Sequence, residues 1–214
     1  MFQPSHHRET DIGRQHALIR DNPLGLLVTV GSDGPEANPI PFVLDTDRGP
    51  FGRLRGHLAR ANDQWRSFDP SFDALVVFQG PDAYVTPSWY VTKAETGKVV
   101  PTWNYAVVQV RGPLCVIDDR AWLSDQIGAL TRQQEESRRE PWQVSDAPER
   151  FVEAMKNGIV GVEIEIRRIE GKWKVSQNRP AADRAGVVNG LRTEGGSDDL
   201  AMAELVQDAR IEPR

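Results

Sequence analysis

Cysteine is almost missing from this chain. Cys115 stands alone among 214 residues, which excludes an intrachain disulfide and any multi-cysteine zinc or iron-sulfur centre. It lies in the apolar run Leu114-Cys115-Val116-Ile117 and reads as a packed core residue, since a buried thiol behaves as a small hydrophobe. Histidine is scarce too. Of four, His6, His7 and His16 fall at the start, and only His57 sits in a segment rich in binding chemistry. A His-rich divalent metal site is set aside on that count, and a Ser-His-Asp hydrolase would depend on His57 or His16 alone. No apolar run reaches the roughly 18 residues a membrane span needs, and the first residues have no hydrophobic signal core. The expectation is a cytoplasmic protein with no membrane partner. There is no GxGxxG after a strand, no GxxxxGK[ST] and no GxSxG, so the common dinucleotide, phosphate-loop and nucleophile-elbow chemistries are not signalled.

What is present is acid overall and base in places. The length suits one well-packed domain with an appendage. The formal charge of -5 and pI of about 5.4 make the surface repel nucleic acid unless cations concentrate on one face. One segment does concentrate them: Gly171 to Leu191, GKWKVSQNRPAADRAGVVNGL, sets Lys172, Lys174, Arg179 and Arg184 against the single acid Asp183, with Ser176, Gln177 and Asn178 between. Cations, hydroxyls and amides together suit phosphate or carboxylate oxygens, although a solvated basic hairpin and loop has the same composition.

Three further segments carry site chemistry. Leu54 to Trp65 places Arg55, His57, Arg60 and Asn62 around Gly56, where a strand gives way to a helical turn. Unpaired backbone N–H groups and basic side chains there make a phosphate seat, or else a surface helix with scattered arginines. Phe78 to Tyr90 ends in Ser88, Trp89 and Tyr90, and Gly97 to Val108 contains Thr102, Trp103, Asn104 and Tyr105. Rings beside amides and hydroxyls suit a flat heteroaromatic ligand, or are core aromatics at strand ends.

The element order predicts a mainly β, α+β fold. Thr10 or Asp11 caps a helix carrying Ile12, His16 and Ile19, and Asn22-Pro23 stops it. Strands are expected at 24–30, 38–44, 53–58, 74–79, 83–86, 102–111 and 113–117, with Pro39 and Pro41 marking an edge or bulge. Many short strands joined by Gly, Pro and Asp turns favour a barrel over a parallel sheet. Asp118 or Asp119 begins a helix with Leu123, Ile127 and Leu130 inward, and Pro148 begins another with Phe151, Val152 and Met155 inward. Residues 133–140 read as an exposed helix end or loop. A half-buried strand with Val162, Ile164 and Ile166 follows, and Glu170-Gly171 is expected to turn the chain. Residues 1–191 are thus read as one domain with a helical insertion at about 118–157, and 192–214 as a helical or disordered tail.

In combination, PLGLLVT (residues 23–29), RGHLARAN (55–62), FQGPDAYVTPSWY (78–90), KVVPTWNYAVV (98–108) and the 171–191 segment resemble the PaiB-type FMN-binding negative transcriptional regulators, from Met1 to about Leu191. The resemblance implies a split β-barrel with peripheral helices, a homodimer, and a flavin site at the dimer interface. It puts the FMN phosphate near Arg55, Gly56, His57, Arg60 and Asn62. It puts the ring near Ser88, Trp89, Thr102, Trp103 and Asn104, with Lys172, Lys174 and Gln177 closing the site. The functions implied are negative transcriptional regulation or flavin-dependent redox sensing, with an FMN oxidoreductase as the alternative. DNA is implied as a partner, yet no helix-turn-helix signature accompanies it. The haem-dependent piperazate synthases also look like relatives, with an axial histidine in the segment of Gly56-His57. Haem b with His57 as its ligand is therefore the second cofactor reading, against which the retained PTWNY and KVSQNRPAADR segments favour FMN.

Overall fold

A computed structural model describes residues 1–209, so the end of the expected tail, 210–214, lies outside the described residues. In chain order the elements are β1 (Arg8–Glu9), α1 (Ile12–Asp21), β2 (Leu24–Gly31), β3 (Gly34–Pro41), β4 (Val43–Asp45), β5 (Arg53–Ala59), α2 (Gln64–Ser67) and β6 (Ala74–Val85). They continue as α3 (Val91–Thr96), β7 (Thr102–Gly112), β8 (Leu114–Ile117), α4 (Arg120–Glu135), α5 (Glu149–Lys156), β9 (Ile159–Glu165), β10 (Arg168–Lys174), α6 (Ala181–Glu194) and α7 (Ser197–Gln207). Caps do what the sequence chemistry asks of them. Asp11 Oδ1 accepts from Gly13 and Arg14 N–H at 2.9 and 3.2 Å, and Asp119 Oδ1 accepts from Trp122 N–H at 2.7 Å, each satisfying N–H groups that the first helical turn leaves unpaired. Gly97 and Gly195 close α3 and α6 at φ +65° and +75°, a region an L side chain enters only with strain.

The chain divides into two compact units, the first from Met1–Leu18, Gln79–Val108 and the chain from Glu170, the second from Ile19–Phe78 and Gln109–Ile169. In the first, strands run in the order β1-β10-β7-β6, with Arg8 opposite Lys172. Its core holds Val85, Tyr90, Ala106, Val108, Trp173, Val187 and Leu191, and α7 adds buried Met202, Ala203 and Val206. Two glycines on α6 make room for Trp89: a Cβ on Gly186 would fall 1.9 Å from the Trp89 carbonyl oxygen, and one on Gly190 2.2 Å from its ring.

In the second unit β6 pairs β2 and β2 pairs β3, while β4-β5-β9-β8 form a separate sheet. Leu54 and Leu58 of β5 and Val160, Val162 and Ile164 of β9 are buried, as the period of two requires of a strand packed on one face. Phe42 and Phe78 meet edge to face at 6.0 Å. The proline-bearing β3 is an edge strand, where the missing N–H groups cost no ladder bond. Among the described residues no helix is long and apolar enough to cross a membrane.

Four expectations are corrected. Residues 74–79 and 83–86 are one strand, β6, because Gly80-Pro81-Asp82 continues it. The turn after β9 falls at 166–167, and Glu170-Gly171 lie inside β10. Cys115 is exposed: β8 is an edge strand, and alternation sends Leu114 inward and Cys115 outward beside its cross-strand partner Glu163. Phe151 and Met155 are exposed as well. The turn of α5 that faces inward carries Lys156, whose Nζ donates to Ser124 Oγ at 2.8 Å.

Candidate cofactor site

The residues expected to hold a cofactor fall into two clusters, one in each unit. The second unit holds the basic one. Arg55, on β5, is largely buried and its Nη1 meets Asp125 of α4 at 2.6 Å. His57, two residues on and on the same face, is 2.8 Å by Nδ1 from Oε1 of Gln126. An amide oxygen only accepts, so Nδ1 carries the proton and Nε2 is left as an acceptor or ligand.

Gln126 is fully buried, and among the described residues its Nε2 has no hydrogen-bond partner; nor does the buried Nε of Arg55. Two orphaned donors flanking one histidine is an unusual expense, because a buried unmade hydrogen bond costs about 1–3 kcal/mol. Phosphate oxygens are acceptors of the kind that would satisfy them.

The other members of this cluster have local duties. Arg60 grips Asp118 at 2.6 and 3.0 Å and reaches the carbonyls of Asn157 and Ile159, and the guanidinium holds the Asp118 carboxyl below its ordinary range. Asn62 accepts from Gln64 N–H at 2.9 Å. At Gly56 a side chain would press on Ile40 and Phe42 at 3.1 Å, so packing alone accounts for glycine there.

The first unit holds a platform of rings and cations. Trp103 on β7 is 55% exposed and meets Tyr84 of β6 edge to face at 5.8 Å. A cavity of about 350 Å³ is lined by Gln79, Asp82, Trp103, Tyr105 and Val107. Lys172, 8% exposed, has its Nζ 5.6 Å from the Phe2 ring and 5.2 Å from the Tyr105 ring, and Lys174 approaches Tyr105 to 5.8 Å. Lys174 also donates to Thr102 Oγ1 and to the Trp103 carbonyl.

Neither lysine forms an ion pair among the described residues. Burial, then the charges of Lys172 and Arg179, push the Lys174 ammonium down from its usual range. His7 is held neutral, with a pKa lowered to about 4 by burial first and by His6, Lys172 and Lys174 besides, against the opposing Gln177 hydrogen bond. Two neighbouring cations without a carboxylate partner make a seat for an anion.

Around this platform the predicted residues separate by role. Asn104 is buried and donates by Nδ2 to Ser176 Oγ at 2.9 Å, fixing a serine whose φ of +62° is strained for a non-glycine residue. Gln177 accepts from Val175 N–H and from His7 Nδ1, at 2.8 and 3.1 Å, and so shapes the same loop. Ser88 and Trp89 stand apart from these groups: Ser88 Oγ accepts from Lys93 Nζ at 3.2 Å, and Trp89 packs on α6. Sequence reasoning missed Gln126 and Tyr84. Gln126 is a polar residue in a helix read only for its apolar stripe, and Tyr84 lay inside a quoted segment, where alternation with buried Ala83 and Val85 would have placed it outward.

The sequence matches the family described as "Putative FMN-binding domain" over residues 1–168. It is 37% identical, over 253 aligned residues, to an uncharacterized protein of Aspergillus fumigatus, the match covering 97% of each chain. It is 30% identical over 208 residues to the protease synthase and sporulation protein PAI 2 of Bacillus subtilis, again over 97% of each. Among solved structures, the flavocytochrome Anf3 of Azotobacter vinelandii superposes with a TM-score of 0.52 at 16% identity, over 78% of this chain and 68% of that one.

Proposed function

Because the chain belongs to the FMN-binding domain family and has the flavin-binding split β-barrel fold with peripheral helices, we propose that it is a homodimeric FMN protein serving as a redox sensor or negative transcriptional regulator. The observation that carries the cofactor reading is the pair of orphaned donors, Arg55 Nε and Gln126 Nε2, beside His57. They fit a phosphate, and Arg60 and Asn62 follow on the same segment. The platform of Trp103, Tyr84 and Tyr105 with Lys172 and Lys174 fits a flat ring bearing electronegative edge atoms. Thr102 and Asn104 support that platform, and Gln177 shapes its border. Ser88 and Trp89 lie beside α6 and are the members of the expected set with the weakest claim to contact. FMN itself would supply one- or two-electron redox chemistry.

The absorbance spectrum of the purified protein tests this. Flavin bands, retained after gel filtration or regained on adding FMN, support the reading, and a colourless protein that takes up no flavin overturns it. Anaerobic NADH or NADPH then separates the two roles: steady turnover of either donor identifies an oxidoreductase, and no reduction by either leaves a binding module. A mobility shift tests DNA as a partner. Given the charge of -5, binding that is lost equally for every sequence at moderate salt would count against a regulator that contacts DNA directly.

Haem b is the second reading, and His57 favours it. Its Nδ1–H is held by Gln126, as an axial histidine is oriented from behind, and Nε2 has no hydrogen bond among the described residues. A Soret band that His57→Ala abolishes is the expected result for haem, and a flavin spectrum unchanged by haem titration overturns it.

A further inference from the structure

The cations of the 171–191 segment are not all spent. Lys172 and Lys174 flank Tyr105, and Arg179 lies over the Tyr90 ring at 4.6 Å. Asp183 accepts from Thr92 N–H and Oγ–H at 3.0 and 2.9 Å, so the acid of the segment is engaged elsewhere. That leaves Arg184. Its Nε is buried with no hydrogen-bond partner, and among the described residues the guanidinium forms no ion pair. Arg53 and Arg55 also have a bare Nε, but each grips a carboxylate through another nitrogen.

Arg184 lines a cavity of about 260 Å³ between α6 and α7, within the first unit. Ala181, Ala185 and Val188 share one flank of α6 with it at helical spacing, and Val206 meets the cavity from α7. Gly186 and Gly190, which receive Trp89, lie on another flank, so the cavity is no part of that packing. Asn189 and Gln207 complete the lining. Arg192 Nη2 donates to Gln207 Oε1 at 2.7 Å, which leaves the Gln207 amide its N–H donors. Among the described residues no acid lines this space.

We infer that the α6-α7 cavity binds a small monocarboxylate with a short apolar chain. One end of such a ligand is a charge and the rest is hydrocarbon, which is the division the lining shows. A carboxylate matches the guanidinium fork with two parallel N–H···O bonds and satisfies Nε together with a terminal nitrogen. The methyl groups of the alanines and valines take the chain out of water. Inorganic phosphate is a poorer occupant, because its charge is spread over several oxygens and an apolar wall gives them no donors. At roughly 30 Å³ for each water-sized atom the cavity holds about nine non-hydrogen atoms, which caps the ligand near hexanoate. It shares no lining residue with the cavity beside Trp103 and Tyr105, so its occupancy is independent of the flavin reading.

Titration of the full chain with sodium hexanoate, followed by ligand-observed NMR and by calorimetry, tests this. The expected result is one site per chain with a dissociation constant of about a millimolar or tighter. The melting temperature should rise with hexanoate, since the ligand binds only the folded chain. Hexan-1-ol, which lacks the charge, should bind about 10-fold more weakly or worse, and inorganic phosphate should not displace hexanoate. Arg184→Met keeps the apolar stem and removes the cation, whereas Ala185→Leu keeps the cation and fills the cavity from an exposed helical position. Each should weaken hexanoate by about 10-fold or more while the circular dichroism spectrum is unchanged. Arg138→Met, at an exposed arginine of the second unit, is the control and leaves binding as it was. No saturable binding of hexanoate, or binding that either folded variant retains in full, overturns the assignment. Hexan-1-ol binding as tightly as hexanoate removes the role of Arg184, and phosphate binding more tightly than hexanoate overturns the ligand class.

Discussion

Replacing Gln126 by leucine distinguishes a site residue from a structural one, because the two roles predict opposite balances. The substitution removes the acceptor for His57 Nδ1–H at 2.8 Å, a net loss of about 1 kcal/mol for a bond that water partly replaces at the half-buried ring. It also removes Nε2, buried with no partner, and relieves about 1–2 kcal/mol of desolvation. Leucine is close to glutamine in volume, so little cavity remains. Ligand-free stability should therefore change by less than about 1 kcal/mol. FMN affinity should fall by roughly 10- to 150-fold, the worth of one hydrogen bond to a charged group. Urea unfolding of the flavin-free protein and a flavin titration read the two numbers. Destabilisation of more than about 2 kcal/mol with unchanged FMN affinity would refute the reasoning and make Gln126 a core residue.

Three other outcomes are expected. His7 is neutral when folded, with a pKa of about 4 against 6.5 ordinarily; between those values the unfolded chain binds the extra proton, so stability falls as pH drops from 6.5 towards 4, and His7→Gln flattens that slope in urea midpoints. Gly186→Ala drives a methyl to 1.9 Å from the Trp89 carbonyl oxygen and should cost about 3 kcal/mol or more by thermal or urea unfolding, since backbone on both sides must shift. Lys172→Met keeps an apolar stem between Phe2 and Tyr105 while deleting the cation; it should leave the melting temperature nearly unchanged, weaken FMN roughly 10-fold, and flatten the salt dependence of binding.

Much of the chemistry was legible locally. Asp11 and Asp119 cap helices because a short carboxylate reaches N–H groups two or three residues on, and Pro39 and Pro41 mark an edge because proline has no N–H to give. The charge pattern singled out Lys172 and Lys174, and the ring pattern singled out Trp103, from sequence alone. Partnership was another matter. Nothing near Gln126 in the chain says that its amide meets His57, 69 residues away, and its place in an apolar helical stripe hid it. Trp89 and Trp103 look alike as strand-end aromatics, yet Gly186 and Gly190 receive one and solvent meets the other.

Residue types, spacing and termini thus determined which elements form and which groups carry charge, rings and hydrogen bonds, because those preferences act within a few residues. Tertiary packing decided that Cys115 faces outward, that Arg60 is committed to Asp118, and that Arg55 and Gln126 keep donors unspent. Those outcomes depend on which strand or helix lies alongside, and close packing among elements far apart in the chain is the only place that choice is made.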